Sequence, residues 1–174
     1  MASVMAPMTV FAPASIGNFS VGFDSLGLAL APIDGTLLGD LVQLRPQPSG
    51  ASAADWGLEV KGVYAEFLPE NQESNVVINC CRRFQQLATE KGIDIQPLNV
   101  VLDKHVPVGS GLGSSASSVV AALEALNRWH GNPLSHHDIF QLMAEVEGSI
   151  SGEVHLDNIA PSLYGGLRLC PPGS

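Results

Sequence analysis

Glycines alternate with other residues in the stretch PVGSGLGSSAS, which covers residues 107–117 and leads into an Ala/Val/Leu-rich segment. Gly109, Gly111 and Gly113 allow backbone conformations that a side chain would block. If a helix begins directly after them, its unpaired amide groups and the positive end of its dipole face the loop, and this combination binds phosphate. The loop is therefore a candidate phosphate cradle, although a flexible turn before a serine-capped helix would have the same composition.

Two familiar nucleotide-binding motifs do not match this loop. A Walker A loop needs a lysine directly after its glycines, and none follows here. A dinucleotide-binding fingerprint needs a glycine where Ser114 stands. Any phosphate site here must therefore be of another kind.

Further polar residues that could do chemistry lie far from the loop in sequence. Asn18 and Asp24 occur in IGNFSVGFD, and His155 and Asn158 are the first and last residues of HLDN. Taken alone, such residues more often satisfy turns than bind ligands. Glu147 lies near a predicted helix end, where a carboxylate is mildly unfavourable, and this favours a functional reason for it.

Other charged residues carry less weight. Lys104 precedes the loop and could assist it, but a single lysine at a strand end is expected to be solvated. His136 and His137 adjoin Asp138 in a first helical turn, and neighbours in sequence do not share a helix face, which argues against a metal site.

Apolar periodicity predicts the elements that position these groups. Helices are predicted over residues 75–91, 115–129 and 136–148, the last capped by Ser135 and stopped by Gly148. Strands are predicted within residues 8–35, 39–47, 57–64 and 97–104, and residues 151–170 are predicted as a loop followed by a strand. The order favours an α+β fold with helices packed on one face of a sheet.

Composition and charge restrict the kinds of protein that this chain can be. The 174 residues are 45% hydrophobic and 14% charged, which predicts one soluble globular domain. The formal net charge of -9 opposes binding to nucleic acid or to an anionic membrane. The start lacks the features of a signal peptide, which points to the cytoplasm. Three cysteines, two of them adjacent, are expected to be reduced thiols.

The string PVGSGLGSSAS resembles the ATP loop of the GHMP small-molecule kinases. The opening APASIGNFSVGFDSLGLAL and the later EVEGSISGEVHLDNIAPSLYGG resemble the homoserine kinases within that family, so the likeness spans nearly the whole chain. The resemblance implies that residues 1–174 form the amino-terminal GHMP domain, with a mixed sheet, helices on one face and a left-handed βαβ unit. It also implies that the carboxy-terminal GHMP domain is absent.

The resemblance implies a transferase activity: ATP-dependent phosphorylation of the side-chain hydroxyl of L-homoserine in threonine biosynthesis. The hydroxyl would attack the γ-phosphoryl group in line, and catalysis would rely on positioning and charge neutralisation. The implied cofactors are ATP and Mg²⁺. The implied partners are ATP and L-homoserine, with no nucleic acid and no membrane, and association into homo-oligomers is expected through the uncovered inter-domain face.

Site roles follow from the same resemblance. Asn18, Asp24 and His155 would bind the amino-acid substrate, and Asn158 would lie near the attacking hydroxyl. Mg²⁺ would be held by Ser115 and Glu147. The ATP-binding residues would be Pro107, Gly109, Ser110, Gly111, Leu112, Gly113, Ser114, Ser115, Ala116 and Ser117.

Two alternatives stay open. One is a nucleotide-binding or oligomerising module without catalysis, because the arginines that bind the substrate carboxylate in homoserine kinases belong to the second domain. The other is a GHMP kinase for another small alcohol, which NFSVGFD and HLDN argue against. Asp157 is a tempting general base, but the resemblance to homoserine kinases implies that the catalytic aspartate of the mevalonate kinases is lacking, so Asp157 is set aside.

Overall fold

The computed structural model describes residues 6–19, 25–47, 55–152 and 156–171. Asp24 and His155, two of the predicted substrate-binding residues, lie outside these described residues. The strands are β1 Met8–Pro13, β2 Ser15–Ile16, β3 Leu26–Ala29, β4 Gly39–Arg45, β5 Gly57–Lys61, β6 Asn99–Asp103 and β7 Leu167–Leu169. The helices are α1 Val76–Glu90, α2 Ser114–Trp129, α3 His136–Ser151 and α4 Leu156–Tyr164.

A mixed four-stranded sheet forms the centre of the fold, in the order β1-β4-β6-β5. The pairs β1/β4 and β4/β6 are antiparallel, whereas β5 and β6 are parallel and are joined through α1. This β5–α1–β6 segment is a βαβ unit. A second, antiparallel sheet has the order β2-β3-β7. The α+β prediction is confirmed.

The core lies between the larger sheet and its helices. Val42 and Leu44 of β4 point to the helix-covered face, opposite Leu102 and Val100 of β6. Helix α2 crosses this face and contacts β4, β1 and the flanking helices α1 and α3. Most of α2 is buried, which explains its small and apolar composition. None of the helices in the described ranges combines the length and apolarity needed to span a bilayer.

Side chains cap the first and third helices. The Asn75 side chain accepts a hydrogen bond from the Val77 amide at the start of α1. Ser135 and Asp138 form a capping box at the start of α3. Both starts agree with the sequence prediction. Because each cap satisfies amides that would otherwise lack a partner, these helix ends are closed.

The predicted end of α3 is wrong. The helix continues past Gly148 to Ser151, and Gly152, with a φ of 84°, provides the left-handed cap. A glycine inside a helix costs only about 1 kcal/mol relative to alanine, and packing of the helix offsets that cost.

The loop predicted after α3 contains a helix, so that prediction is also wrong. Pro161 lies inside α4, where it cannot donate to the carbonyl of Asp157. That carbonyl packs against Gly27 of β3, at a place where a Cβ atom would not fit. Helix α4 is therefore stabilised by packing on the small sheet despite the proline.

Candidate functional site

The glycine-rich loop turns sharply before α2. Gly109, Gly111 and Gly113 have φ values of 70°, 76° and 61°, in the left-handed region that side chains disfavour. A Cβ atom at Gly109 or Gly111 would meet nothing within 4 Å, so these two glycines face open space. The alternating glycines therefore allow the left-handed backbone conformations of the loop, as the sequence predicted.

Helix α2 begins without the kind of cap that closes α1 and α3. Its N-cap is Gly113, which has no side chain to accept from the first-turn amides. The Ser115 hydroxyl in the first turn is buried and has no hydrogen-bond partner among the described residues. An uncapped helix start and a buried hydroxyl without a partner are what a bound anion and its cation would satisfy.

A pocket of about 430 Å³ opens in front of this helix start. Gly109, Ser114 and Ser115 line one side of it, and Asn75 and Asn79 at the start of α1 line the other. Leucine, proline, valine and isoleucine side chains add apolar surface. The volume falls in the range of small-ligand sites, and the mixture of apolar walls with convergent polar groups is typical of them.

The sequence predicted a solvated Lys104, and this prediction is wrong. Lys104 is 1% exposed, pairs with the Asp40 carboxylate, and its Nζ donates to the Ser114 carbonyl at 2.8 Å and to Ser118 Oγ at 3.0 Å. Burial lowers the pKa of Lys104, and the negative charge of Asp40 opposes that shift. The lysine is thus a fixed, neutralised part of the pocket floor.

Sequence reasoning missed Asp40, the partner of Lys104. Asp40 is completely buried on β4, on the same face as Val42 and Leu44. The alternation of side chains in GDLVQLR already places Asp40 on the same face as the apolar residues Val42 and Leu44. A carboxylate at such an inward position requires a buried partner. What the sequence did not reveal was the identity of the partner.

Glu147 and Glu145 have different surroundings. Glu147 is 9% exposed, whereas Glu145 is largely exposed and forms an ion pair with Arg83 at 2.7 Å. Burial is the main cause that lowers the pKa of Lys104, and the charge of Glu147, like that of Asp40, opposes this shift. The choice of Glu147 over Glu145 therefore agrees with burial and charge, while its role stays a prediction.

The structure brings Asn158 next to the glycine-rich loop. Ser15 of β2 uses its hydroxyl to bond the Asn158 carbonyl at 3.1 Å and Oδ1 at 3.2 Å, and its amide donates to Leu112 at 3.1 Å. A Cβ atom on Gly113 would lie 3.0 Å from Asn158 Oδ1 and would overlap Ser15 Oγ. Three segments far apart in sequence thus meet at Gly113.

Asn18 lies beside the same meeting point. Its backbone is in the left-handed region, with a φ of 54°, and its amide donates to Asp157 Oδ2 at 2.6 Å. Asp157 is fully buried and also packs against Gly17. Asp157 thus orders the turn that carries Asn18, and its exclusion as a general base stays a prediction.

The remaining loop residues differ in what they can offer a ligand. Ser110 and Ser114 donate their hydroxyls to the Pro107 and Val106 carbonyls, which braces the loop internally. Ala116 is fully buried in the core. Ser117 is also fully buried, and its hydroxyl donates to the Ala12 carbonyl. The last two predicted ATP-binding residues can therefore reach a ligand only through their backbone.

Comparison with known proteins identifies relatives of this arrangement. Residues 75–166 match the family model described as the GHMP kinases N terminal domain. The homoserine kinase of Cytophaga hutchinsonii is 35% identical, with a TM-score of 0.77 over 97% of this chain and 50% of that one. A Listeria monocytogenes protein assigned as a homoserine kinase is 29% identical, with a TM-score of 0.60 over 93% of this chain and 48% of that one.

A more distant structure shares the fold. The mevalonate kinase of Methanococcus jannaschii is 16% identical, with a TM-score of 0.63 over 93% of this chain and 52% of that one. The chain spans about half the length of the relatives it matches.

Proposed function

The chain belongs to the GHMP kinase family, and we propose that it is the ATP-binding part of a kinase that phosphorylates the side-chain hydroxyl of L-homoserine. The observation that carries the proposal is the open start of α2. The helix has a glycine N-cap that follows a loop of left-handed glycines, and Gly109, Ser114 and Ser115, whose buried hydroxyl has no partner among the described residues, line one pocket.

The phosphates of ATP suit this helix start because its amides and dipole supply positive potential without a free lysine. Lys104 is paired with Asp40, and Arg82, which also lines the pocket, is paired with Glu73, so the loop amides remain to attract an anion. The net charge of -9 makes such local attraction necessary, since the protein as a whole repels anions.

Mg²⁺ would be held by the Ser115 hydroxyl, which lines the pocket, and by the Glu147 carboxylate. The Ser115 hydroxyl is buried without a hydrogen-bond partner among the described residues, and Glu147 is a carboxylate only 9% exposed. Within the described ranges, no three His, Cys, Asp or Glu side chains cluster as a metal site. One carboxylate, one hydroxyl, water and phosphate oxygens are the usual set for magnesium in kinases, where the ion neutralises charge on the phosphates.

The amino-acid substrate would bind beside the loop, where Asn158 and Asn18 lie. The Asn158 amide borders Gly113 and could orient the homoserine hydroxyl toward the phosphates. By the resemblance, Asp24 would pair with the substrate ammonium and His155 would face the substrate. The 35% identity to a homoserine kinase over nearly the whole chain supports this substrate, and with it a cytoplasmic role in threonine biosynthesis.

A second candidate function is nucleotide binding without turnover, coupled to association. The chain spans about half the length of its relatives, and Leu167 and Leu169 on β7 are 55% and 70% exposed. Exposed apolar residues on an edge strand favour association with another protein surface. A kinase for another small alcohol is less favoured, because the mevalonate kinase similarity shows only the fold.

Calorimetric titration with Mg-ATP tests the proposal. Ser115→Ala and Glu147→Gln are expected to weaken binding at least tenfold in the presence of Mg²⁺ and much less in its absence. Glu145→Gln is the matched control, because it removes an exposed carboxylate from the same helix. Absence of Mg-ATP binding by the folded wild-type protein would refute the proposed nucleotide site.

A coupled assay with L-homoserine separates the two candidate functions. The complete polypeptide that contains these residues is expected to turn over homoserine, and Asn158→Ala is expected to lower kcat more than it weakens ATP binding. Mg-ATP binding by that complete polypeptide without turnover of any small alcohol would favour the binding module instead.

A further inference from the structure

One buried carboxylate connects the two ends of the glycine-rich loop. Asp40 is not among the groups that the proposed reaction uses, and it is completely buried on β4. We propose that Asp40 is a positioning residue that fixes the conformation of loop 107–113 for phosphate binding. This inference rests on the proposed function, because it concerns the same loop.

The first oxygen of Asp40 holds the segment that enters the loop. Asp40 Oδ1 accepts hydrogen bonds from the His105 amide at 2.9 Å and from the Val106 amide at 3.0 Å. These two residues follow β6 and directly precede Pro107. Their amides would otherwise lack partners, because the ladder between β4 and β6 has ended at Asp103. Asp40 thereby extends the order of the strand to the edge of the loop.

The second oxygen of Asp40 holds the segment that leaves the loop. Asp40 Oδ2 accepts from the Ser118 hydroxyl at 2.7 Å and pairs with Lys104 Nζ. Lys104 in turn donates to the Ser114 carbonyl at 2.8 Å and to Ser118 Oγ at 3.0 Å. Ser114 and Ser118 belong to the first turns of α2. Through this lysine, the carboxylate reaches the helix start that follows the loop.

Between these two anchors, the loop is held by the Ser110 and Ser114 hydroxyls and by the bond from the Ser15 amide to the Leu112 carbonyl, and none of these bonds fixes Gly109 or Gly111 directly. Gly109 and Gly111 face open space and pay the largest conformational entropy of any residue type on ordering. The distance and direction between the two anchored ends therefore restrict where the loop amides point. If the anchors loosen, we expect the loop amides to lose their fixed directions even though the fold persists.

The carboxylate cannot be replaced by its amide. Asp40 receives two amides, a hydroxyl and an ammonium, which are all donors, and a carboxylate has acceptor sites for four. An asparagine would accept through one oxygen only, and its NH₂ group would face donors on Lys104 and Ser118. Asp40→Asn therefore keeps the shape and breaks the connection between the two anchors.

The test compares Asp40→Asn with a matched control at the other end of α2. Asn127 is 6% exposed and exchanges hydrogen bonds with the Leu134 backbone at 3.0 and 3.2 Å. Asn127→Ala therefore also removes a buried polar brace, but far along the chain from the loop. Thermal unfolding, amide hydrogen exchange without ligand, and Mg-ATP titration are measured on both variants and the wild type.

Asp40→Asn is expected to speed exchange at least tenfold in residues 104–118, relative to the change in α3, and to weaken Mg-ATP binding at least tenfold. Asn127→Ala is expected to lower the melting temperature with neither effect. Exchange that rises equally in residues 104–118 and in α3, or Mg-ATP affinity within twofold of the wild type, would overturn the positioning role and leave Asp40 a general stabilising residue.

Two further outcomes keep the test decisive. If the wild type does not bind Mg-ATP, the proposed nucleotide site fails, and hydrogen exchange alone decides whether Asp40 orders the loop. If Asp40→Asn does not fold, Ser118→Ala replaces it, because that change keeps the ion pair and removes one donor. A smaller acceleration of exchange confined to residues 104–118 would then support the proposal, and an acceleration shared with α3 would overturn it.

Discussion

Replacement of Gly113 by alanine should destabilise the protein more than the same change at Gly111. Both glycines have a left-handed backbone, with φ values of 61° and 76°. An alanine Cβ at position 111 would point into open space, whereas one at position 113 would overlap Ser15 Oγ and lie 3.0 Å from Asn158 Oδ1. The two variants therefore share the backbone strain and differ in the contact.

The size of each effect follows from these contacts. A left-handed conformation costs an L-residue about 1–2 kcal/mol, which both variants incur. At position 113 the Ser15 hydroxyl must also move and give up its bonds to Asn158, and it is fully buried. Leaving a buried polar group without its partner costs about 1–3 kcal/mol. We expect Gly113→Ala to lose about 3 kcal/mol of unfolding free energy and Gly111→Ala about 1 kcal/mol.

Urea unfolding followed by circular dichroism measures both variants against the wild type. With a urea m-value of about 2 kcal/mol/M, the expected difference of about 2 kcal/mol separates the two midpoints by about 1 M. Equal midpoints for the two alanine variants would refute the reasoning, since they would mean that Gly113 does not hold the loop against Ser15 and Asn158. A larger loss at Gly111 would do the same.

Three further predictions concern buried or paired charges. Lys104→Met should cost about 3–5 kcal/mol in urea unfolding, because it leaves the Asp40 carboxylate buried without its counter-ion, and a loss below about 1 kcal/mol would contradict that burial. Burial lowers the pKa of His130, so its contribution to stability should be complete above about pH 6.5 and decrease on acidification, and His130→Gln should remove that part of the pH dependence of the melting temperature. The pKa of Asp138 is lowered to about 2, chiefly by a hydrogen bond from the Ser135 side chain. The contribution of Asp138 to stability should therefore be complete above about pH 4 and be lost as the pH falls toward 2. Asp138→Asn should remove the change of melting temperature with pH in that window.

Local rules predicted the parts of the fold that local chemistry determines. The starts of α1 and α3 follow from Asn75 and Ser135, whose side chains bond amides within three residues. Neighbouring residues decide such caps, so the sequence is sufficient to find them. The glycine loop was recognised for the same reason. The helix α4 was missed because Pro161 opposes a helix locally, and only packing on β3 outweighs it.

The candidate site was predictable in its parts and not in its assembly. The predicted residues Asn158 and Gly113 proved to be neighbours, but the serine that joins them lies 143 residues from Asn158 in sequence. Lys104 was expected in solvent because its counter-ion is 64 residues away on another strand. Burial of a charge depends on such distant partners, which a pattern of nearby residues does not reveal.

The buried ammonium of Lys104 allows chemical modification to measure how often the surrounding structure opens. The chain has three lysines, and the side chains of Lys61 and Lys91 are 54% and 39% exposed, whereas that of Lys104 is 2% exposed. A small amine-reactive reagent should therefore modify the first two within minutes in the folded protein. Modification of Lys104 should proceed only as fast as β4, β6 and α2 separate, so the mass of its peptide over time would record how often the loop loses its anchors.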